Sequence, residues 1–209
     1  MGESRRQICL DTWLSRLDRN YFDWFFVVGD PNLKPEWEFR GNTMTCRAID
    51  DWLNLVFKTH LMCKYAYQKG YDYMVKADDD TYVNTEHLKN RIERTIRPDV
   101  FDICAYMLPL KGEHAVPGNW FPAGPLFVFS RHVLKLITEE FVPKAEIEDR
   151  YLGEFLCRRD DVRGMHDGWF CRNIAAEDTT ANWEPQRIGG HFKNMNLMYE
   201  VHSNLFKRY

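Results

Sequence analysis

The chain has 209 residues, 44% of them hydrophobic and 28% charged, and a formal net charge of -3. That length supports one domain with a real core and is short for two. The near-neutral charge gives no basic field for nucleic acid, and no run of about 18 apolar residues is present to span a membrane.

The opening residues, MGESRRQICLDTW, lack the apolar core of a secretory signal. Arg6 stands where a myristoylation motif wants Ser or Thr. Cys9, Cys46, Cys63, Cys104, Cys157 and Cys171 are scattered without a CxxC pair. In a chain with no leader this spacing reads as buried free thiols in the cytoplasm rather than disulfides or zinc ligands.

Residues 5–17 carry Ile8, Leu10, Trp13, Leu14 and Leu17 in an amphipathic pattern, which predicts a short helix. Residues 22–29, FDWFFVVG, form an apolar run closed by Asp30 and Pro31, the pattern of a buried strand and a loop. Gly29 and Asp30 would lie in that loop, a usual position for a nucleotide base. Residues 42–47 fit either a short strand or an irregular segment. A helix is expected from Asp50 or Asp51 to near Gln68, ended by Gly70.

Residues 71–88, YDYMVKADDDTYVNTEHL, organise the rest. Tyr73, Val75 and Ala77 alternate with Met74, Lys76 and Asp78, the period of a strand covered on both faces. The strand runs into Asp78, Asp79 and Asp80, three like charges that a fold tolerates when a cation offsets them. From Asn84 a helix takes over, with Leu88, Ile92 and Ile96 on one stripe and Asn84 or Thr85 as its cap. Acidic residues in a strand-to-helix turn sit where open α/β sheets bind ligands.

Residues 101–108 predict another strand, and residues 111–125 a long Gly/Pro loop of a functional kind. A four-residue strand follows at 126–129. Ser130 then caps a helix bearing Val133, Leu134, Leu136 and Ile137. Glu148 and Asp149 open a further helix with Tyr151, Leu152, Phe155 and Leu156 on its apolar face. Beyond Arg158 the periodicity fades into an irregular tail that holds Trp169, Trp183 and several histidines. The alternation of strands and helices predicts a single α/β domain over residues 1–209, with a mostly parallel central sheet flanked by helices.

Several chemistries use an Asp cluster. Counting from Asp78, the sixth position of an EF-hand is Val83 rather than Gly and the twelfth is Lys89 rather than Glu. No phosphate-cradling P-loop occurs. A metal-bridged nucleotide-sugar site remains, in which carboxylates hold Mn²⁺ or Mg²⁺ against a diphosphate. Such a reaction also needs a carboxylate to take the proton from the acceptor hydroxyl. The candidate is Asp149, with Glu148 behind it, since the first turn of a helix favours the anion. An ordinary helix-start acid would look the same.

These stretches resemble the family-31 group of GT-A glycosyltransferases, which contains β1,3-galactosyl- and N-acetylglucosaminyltransferases and Fringe. RRQICLDTW (5–13) is similar to the family's R-x-x-I-R-x-T-W, with Leu10 in place of the second Arg. DDWLNLVFKT (50–59) is similar to D-x-Y-x-N-L-T-x-K-T, and MVKADDDTYVN (74–84) to K-x-D-D-D-x-F/Y-V-N, the DXD region. PAGPLFVFSRHVL (122–134) resembles the family's glycine loop and strand, EDRYLG (148–153) its E-D-V-Y-x-G, and EVHS (200–203) its V-H-S.

The resemblance implies a GT-A (Rossmann-like) fold. It implies a metal-dependent, inverting enzyme that moves a hexose or deoxyhexose from a UDP-sugar to a carbohydrate hydroxyl on a glycan or glycoprotein. Asp80 would ligate the metal, with Asp78 and Asp79 near it on ribose or second-shell groups. His202 would complete the metal ligands, His191 being its rival and His166 a third choice. Asp149 would be the base. Lys76, Arg5, Gly29, Asp30 and Gly124 would contact the donor. The family's glycine loop reads Ala123-Gly124-Pro125-Leu126 here, which leaves the donor sugar open. The missing anchor resembles a viral form of the family encoded by a large chlorella-infecting virus, and the finish at Tyr209 fits one domain of a longer protein. A binding module without catalysis, or a nucleotide-sugar hydrolase, would use the same residues. Trp120, Trp169 and Trp183 are candidates to pack an acceptor sugar on an indole face.

Overall fold

A computed structural model of the chain describes residues 2–94, 100–174, 183–184 and 186–206. The first helix, α1 (Gly2–Asp11), stops earlier than the apolar spacing predicts, and a 3-10 turn follows over Trp13–Arg16. The break is at buried Thr12, whose hydroxyl donates to the Ile8 carbonyl at 2.6 Å while its backbone leaves the helical region. Hydroxyl side chains compete in this way with the helical ladder.

Strand β1 (Phe26–Gly29) runs parallel to β3 (Thr43–Cys46), and β2 (Trp37–Arg40) pairs with β3 antiparallel. The undecided segment 42–47 is therefore largely strand. Helix α2 (Leu55–Lys69) begins later than Asp50 or Asp51 because the Asp51 carboxylate accepts from the Asn54 N–H at 2.7 Å and holds a turn there. Gly70, at φ 84°, ends the helix in the left-handed conformation.

The largest sheet has four strands in the order β4-β7-β6-β8: β4 (Tyr73–Ala77), β7 (Phe121–Ser130), β6 (Ile103–Leu108) and β8 (Gly164–His166). It is mixed, not mostly parallel. Both neighbours of β7 run antiparallel to it, and β8 joins β6 in parallel. The reason lies between β6 and β7, where residues 109–120 contain no helix to carry a crossover, so the chain returns antiparallel. A third of the expected 111–125 loop is strand as well, since β7 starts at Phe121 and runs through Pro122 and Pro125.

Side chains alternate across β7. Phe127 and Phe129 pack under α2, α4 (Arg131–Glu139) and α5 (Glu148–Leu156), while Leu126 and Val128 face α3 (Thr85–Arg94) and Phe170. Ser130 caps α4 as expected, its hydroxyl accepting from the Val133 N–H at 3.5 Å. Gly153 lets α5 lie directly on the sheet, because a Cβ there would come within 2.6 Å of Phe121 Cα.

The described residues after Arg158 include strands and a helix rather than an irregular tail. Strand β5 (Thr81–Val83) pairs antiparallel with β10 (Gly189–Phe192), which pairs in parallel with β9 (Cys171–Ile174). The last helix, α6 (Asn196–Phe206), buries Met198 and Val201 against Cys9, Leu14 and Tyr82. Ile96 and the side chain of Cys171 lie outside the described residues; the other five cysteines are buried free thiols. No described helix is long and apolar enough to cross a membrane.

Candidate functional site

Asp78, Asp79 and Asp80 leave the end of β4 in a turn closed by the Thr81 N–H donating to the Asp78 carbonyl at 3.0 Å. Three cationic or potentially cationic groups meet them. Arg5 of α1 lies 3.2 Å from an Asp79 oxygen and 3.0 Å from Asp80 Oδ2. Lys76 lies 2.6 Å from Asp78 Oδ1. His191 Nε2 lies 3.1 Å from Asp80 Oδ1. The sequence requires a positive partner for the triplet, and in this structure these side chains supply it.

His191 reaches Asp80 because β10 pairs with β5, which sets His191 opposite Thr81. Burial pushes the Asp80 carboxyl up, but the hydrogen bond and charge of His191, with Arg5, outweigh it and hold the group below the carboxylate range. The same hydrogen bond raises His191 above the ordinary histidine range against the effect of its burial. His202, the expected ligand, sits on α6 with Nδ1 3.0 Å from the Tyr82 hydroxyl, and burial lowers its pKa. Among the described residues no hydrogen bond or ion pair joins His202 to the triplet. His166 is also elsewhere, accepting from the Met107 N–H at 3.0 Å.

Asp149 opens α5. Its Oδ2 accepts from the Gly124 N–H at 3.0 Å and its Oδ1 from the Arg150 N–H at 2.7 Å. The Gly124 peptide is free to do this because the β6–β7 register shifts between Ala105 and Met107, leaving residues 123–126 of β7 without regular partners on that side. A Cβ at Gly124 would come 3.0 Å from Asp149 Oδ2, so the approach depends on glycine.

Glu148, expected beside Asp149 at the chemistry, is instead turned inward and 4% exposed. It accepts from the hydroxyl of Thr59 on α2 and lies 3.1 Å from Lys76 Nζ. Burial pushes the Glu148 carboxyl up, whereas Lys76 stays above the lysine range because Glu148 and Asp78 outweigh the burial. Lys76 also donates to the Gly124 carbonyl at 2.7 Å. Thr59 carries no signal of its own in the sequence beyond its position in the DDWLNLVFKT block.

A cleft of about 1190 Å³ runs beside β1 and β4, with Arg5, Val28, Lys76 and the three aspartates on its wall. Asp50, Trp52 and Lys58 line it too, from the turn before α2 and its first turns, and sequence reasoning did not single them out. Gly29 ends β1 against the backbone of Ala48 and Asp50, and the next residue, Asp30, donates its N–H to the Cys46 carbonyl at 2.9 Å; neither is among the residues lining the cleft. Trp120 is core, 7% exposed, while Trp183 stacks on Phe192 and Trp169 is partly exposed.

The donor chemistry fits a divalent ion. An aspartate oxygen and an imidazole nitrogen converge at Asp80 and His191, with further carboxylates adjacent. Among the described residues no three His, Cys, Asp or Glu side chains form a group that could hold a metal ion, and Asp80 with His191 is the pair that could supply protein ligands.

Residues 4–116 match the family model described as Galactosyltransferase. That match takes in Arg5, Thr59, Lys76 and the acidic triplet, and stops before Gly124 and Asp149. The chain is also similar to hydroxyproline O-galactosyltransferase GALT6 of Arabidopsis thaliana, 28% identical over 122 residues that cover 52% of this chain and 18% of that protein. The chain thus spans about a fifth of that relative's length. With the acidic corner inside the matched region and more than half of the chain covered, the chain belongs to the galactosyltransferase family of glycosyltransferases.

Proposed function

We propose that the chain transfers a hexose, galactose first among the candidates, from its UDP-sugar to a hydroxyl acceptor, with Mn²⁺ or Mg²⁺ and on a GT-A-type scaffold. The observation that carries this reading is Asp80, on the wall of a large cleft and 3.1 Å from His191 Nε2, in a chain of this family.

Asp80 and His191 would hold the cation, with Asp78 and Asp79 adding negative potential around it. The cation supplies electron withdrawal from the diphosphate oxygen as the sugar–oxygen bond breaks. Arg5, a planar double donor, would exchange its carboxylates for diphosphate oxygens. Asp149 would take the proton of the acceptor hydroxyl while that oxygen attacks C1 of the sugar from the face opposite UDP, which leaves with the bonding pair. The Gly124 N–H fixes one Asp149 oxygen and leaves lone pairs on both for the incoming proton.

Hydroxyproline, named for the Arabidopsis relative, is the first acceptor to offer, beside simple galactosides. The test measures UDP release from UDP-galactose with Mn²⁺, with and without acceptor, in the wild type and in Asp80→Ala. Release that requires the metal and falls by at least about 100-fold in the variant supports the reading. Activity that survives both EDTA and Asp80→Ala removes it.

A further inference from the structure

We infer that Thr59, Glu148 and Lys76 form a buried strut that sets the position of Asp149 relative to the acidic corner, acting through the Gly124 peptide. The inference rests on the transferase reading above, and it makes Lys76 and Glu148 positioning residues rather than donor contacts or catalytic groups.

Lys76 carries three N–H donors, and three acceptors inside the protein engage it: Asp78 at 2.6 Å, the Gly124 carbonyl at 2.7 Å and Glu148 at 3.1 Å. None is left for a phosphate. Glu148 is held on its other oxygen by Thr59, which is fully buried. The strut therefore ties three elements together, α2 through Thr59, β4 through Lys76 and α5 through Glu148. Gly124 is gripped on both sides of its residue, its carbonyl by Lys76 and its N–H by Asp149. The chain of contacts runs from Asp78, in the corner, to Lys76, to Gly124, to Asp149.

Stability does not account for such an arrangement. A buried ion pair loses in desolvation about what it gains in attraction, and apolar residues of equal volume commonly hold a fold as well. Apolar residues cannot fix a peptide group and two carboxylates in one geometry. The chemistry needs that fixed geometry, because a misplacement of about 1 Å can cost on the order of 100-fold in rate.

The test uses the full chain with Mn²⁺ and UDP-galactose. It reads kcat and KM for UDP release, the affinity for UDP with Mn²⁺ by calorimetry, and the melting temperature. Thr59→Val keeps the shape and removes the hydroxyl; Glu148→Gln keeps the volume and removes the charge; Thr59→Ser restores the hydroxyl. We expect Thr59→Val and Glu148→Gln to lower kcat by about 10- to 100-fold while UDP affinity moves less than about threefold, and Thr59→Ser to return kcat to within about threefold of wild type. Thr59→Val and Glu148→Gln at wild-type kcat would overturn the inference and leave the transferase reading standing. So would kcat and UDP affinity falling together in step with the loss of folded protein. If Thr59→Val does not fold, Glu148→Gln gives the same readout. A wild-type chain that binds UDP and Mn²⁺ but releases no UDP from UDP-galactose overturns both.

Discussion

Gly153 offers the sharpest test of how α5 is held against the sheet. A Cβ at this position would lie 2.1 Å from Phe121 Cβ, 2.6 Å from Phe121 Cα and 3.1 Å from the Trp120 carbonyl oxygen, none of which a rotamer change can move. Carbon atoms in contact prefer about 3.8 Å, so Gly153→Ala must drive α5 from β7 by about 1.7 Å at that point. Overpacking of this size costs about 1–3 kcal/mol, offset in part by about 1 kcal/mol of helix propensity. The net loss, up to about 2 kcal/mol, corresponds to a melting temperature lower by up to about 8 °C for a chain of this length. Asp149 stands one turn earlier on the same side of α5, so the same displacement stretches its 3.0 Å bond from the Gly124 N–H to about 4.7 Å, beyond hydrogen bonding. The variant should therefore melt early and release UDP from UDP-galactose about 10- to 100-fold more slowly, as read by thermal circular dichroism and a UDP assay. A Gly153→Ala chain that melts at or above the wild-type temperature with full activity would refute the argument, because only helix propensity would then be acting.

Two further outcomes concern the imidazoles. His191→Ala should raise the Mn²⁺ concentration for half-maximal activity by at least about tenfold, whereas His202→Ala should leave it near wild type and lower the melting temperature instead; a Mn²⁺ titration of both variants decides between them. The Asp80–His191 pair also makes the stability of the metal-free chain depend on pH. His191 is raised above its ordinary 6.5, so its contribution is full below that value and is lost as pH rises through the raised one. Asp80 is depressed below its ordinary 3.8, so its contribution is present above that value and is lost as pH falls through the depressed one. Melting curves at about pH 6 and about pH 9 should show the wild type losing more stability across that interval than His191→Asn does. Equal losses would mean that the pair does not carry the dependence.

Elements that announce themselves through local chemistry were legible in the sequence. The alternation in β4, the Ser130 cap of α4, the Gly70 stop of α2 and the acidic start of α5 each rest on one or two neighbouring residues, and each stands where expected. Strand β7 was legible only over residues 126–129; its first half was not, because Pro122, Gly124 and Pro125 are loop signals when read alone. Gly124 and Pro125 are tolerated here because the register shift beside them removes the ladder partners that proline would fail, while Pro122 stands opposite Met107. Strands β5, β9 and β10 hold only three or four residues apiece, too few for a period to show, and acquire their identity from pairing across the chain. That is also why the sequence favoured the helical His202 in its VHS motif over His191, whose only distinction is the strand it pairs with. Glu148 and Lys76 were visible as charges, but their inward direction is a property of packing that spacing does not encode.

The pairing of β5 with β10 has an effect on the order in which the molecule matures. The acid run at 78–80 is made early in synthesis, and its imidazole neighbour, His191, follows more than a hundred residues later. Until the distal strand emerges and docks, the half-made chain carries a patch of negative charge with Arg5 and Lys76, among the described residues, to temper it. Contacts of such long span close slowly. Any competence for metal should therefore arise late, near the end of folding.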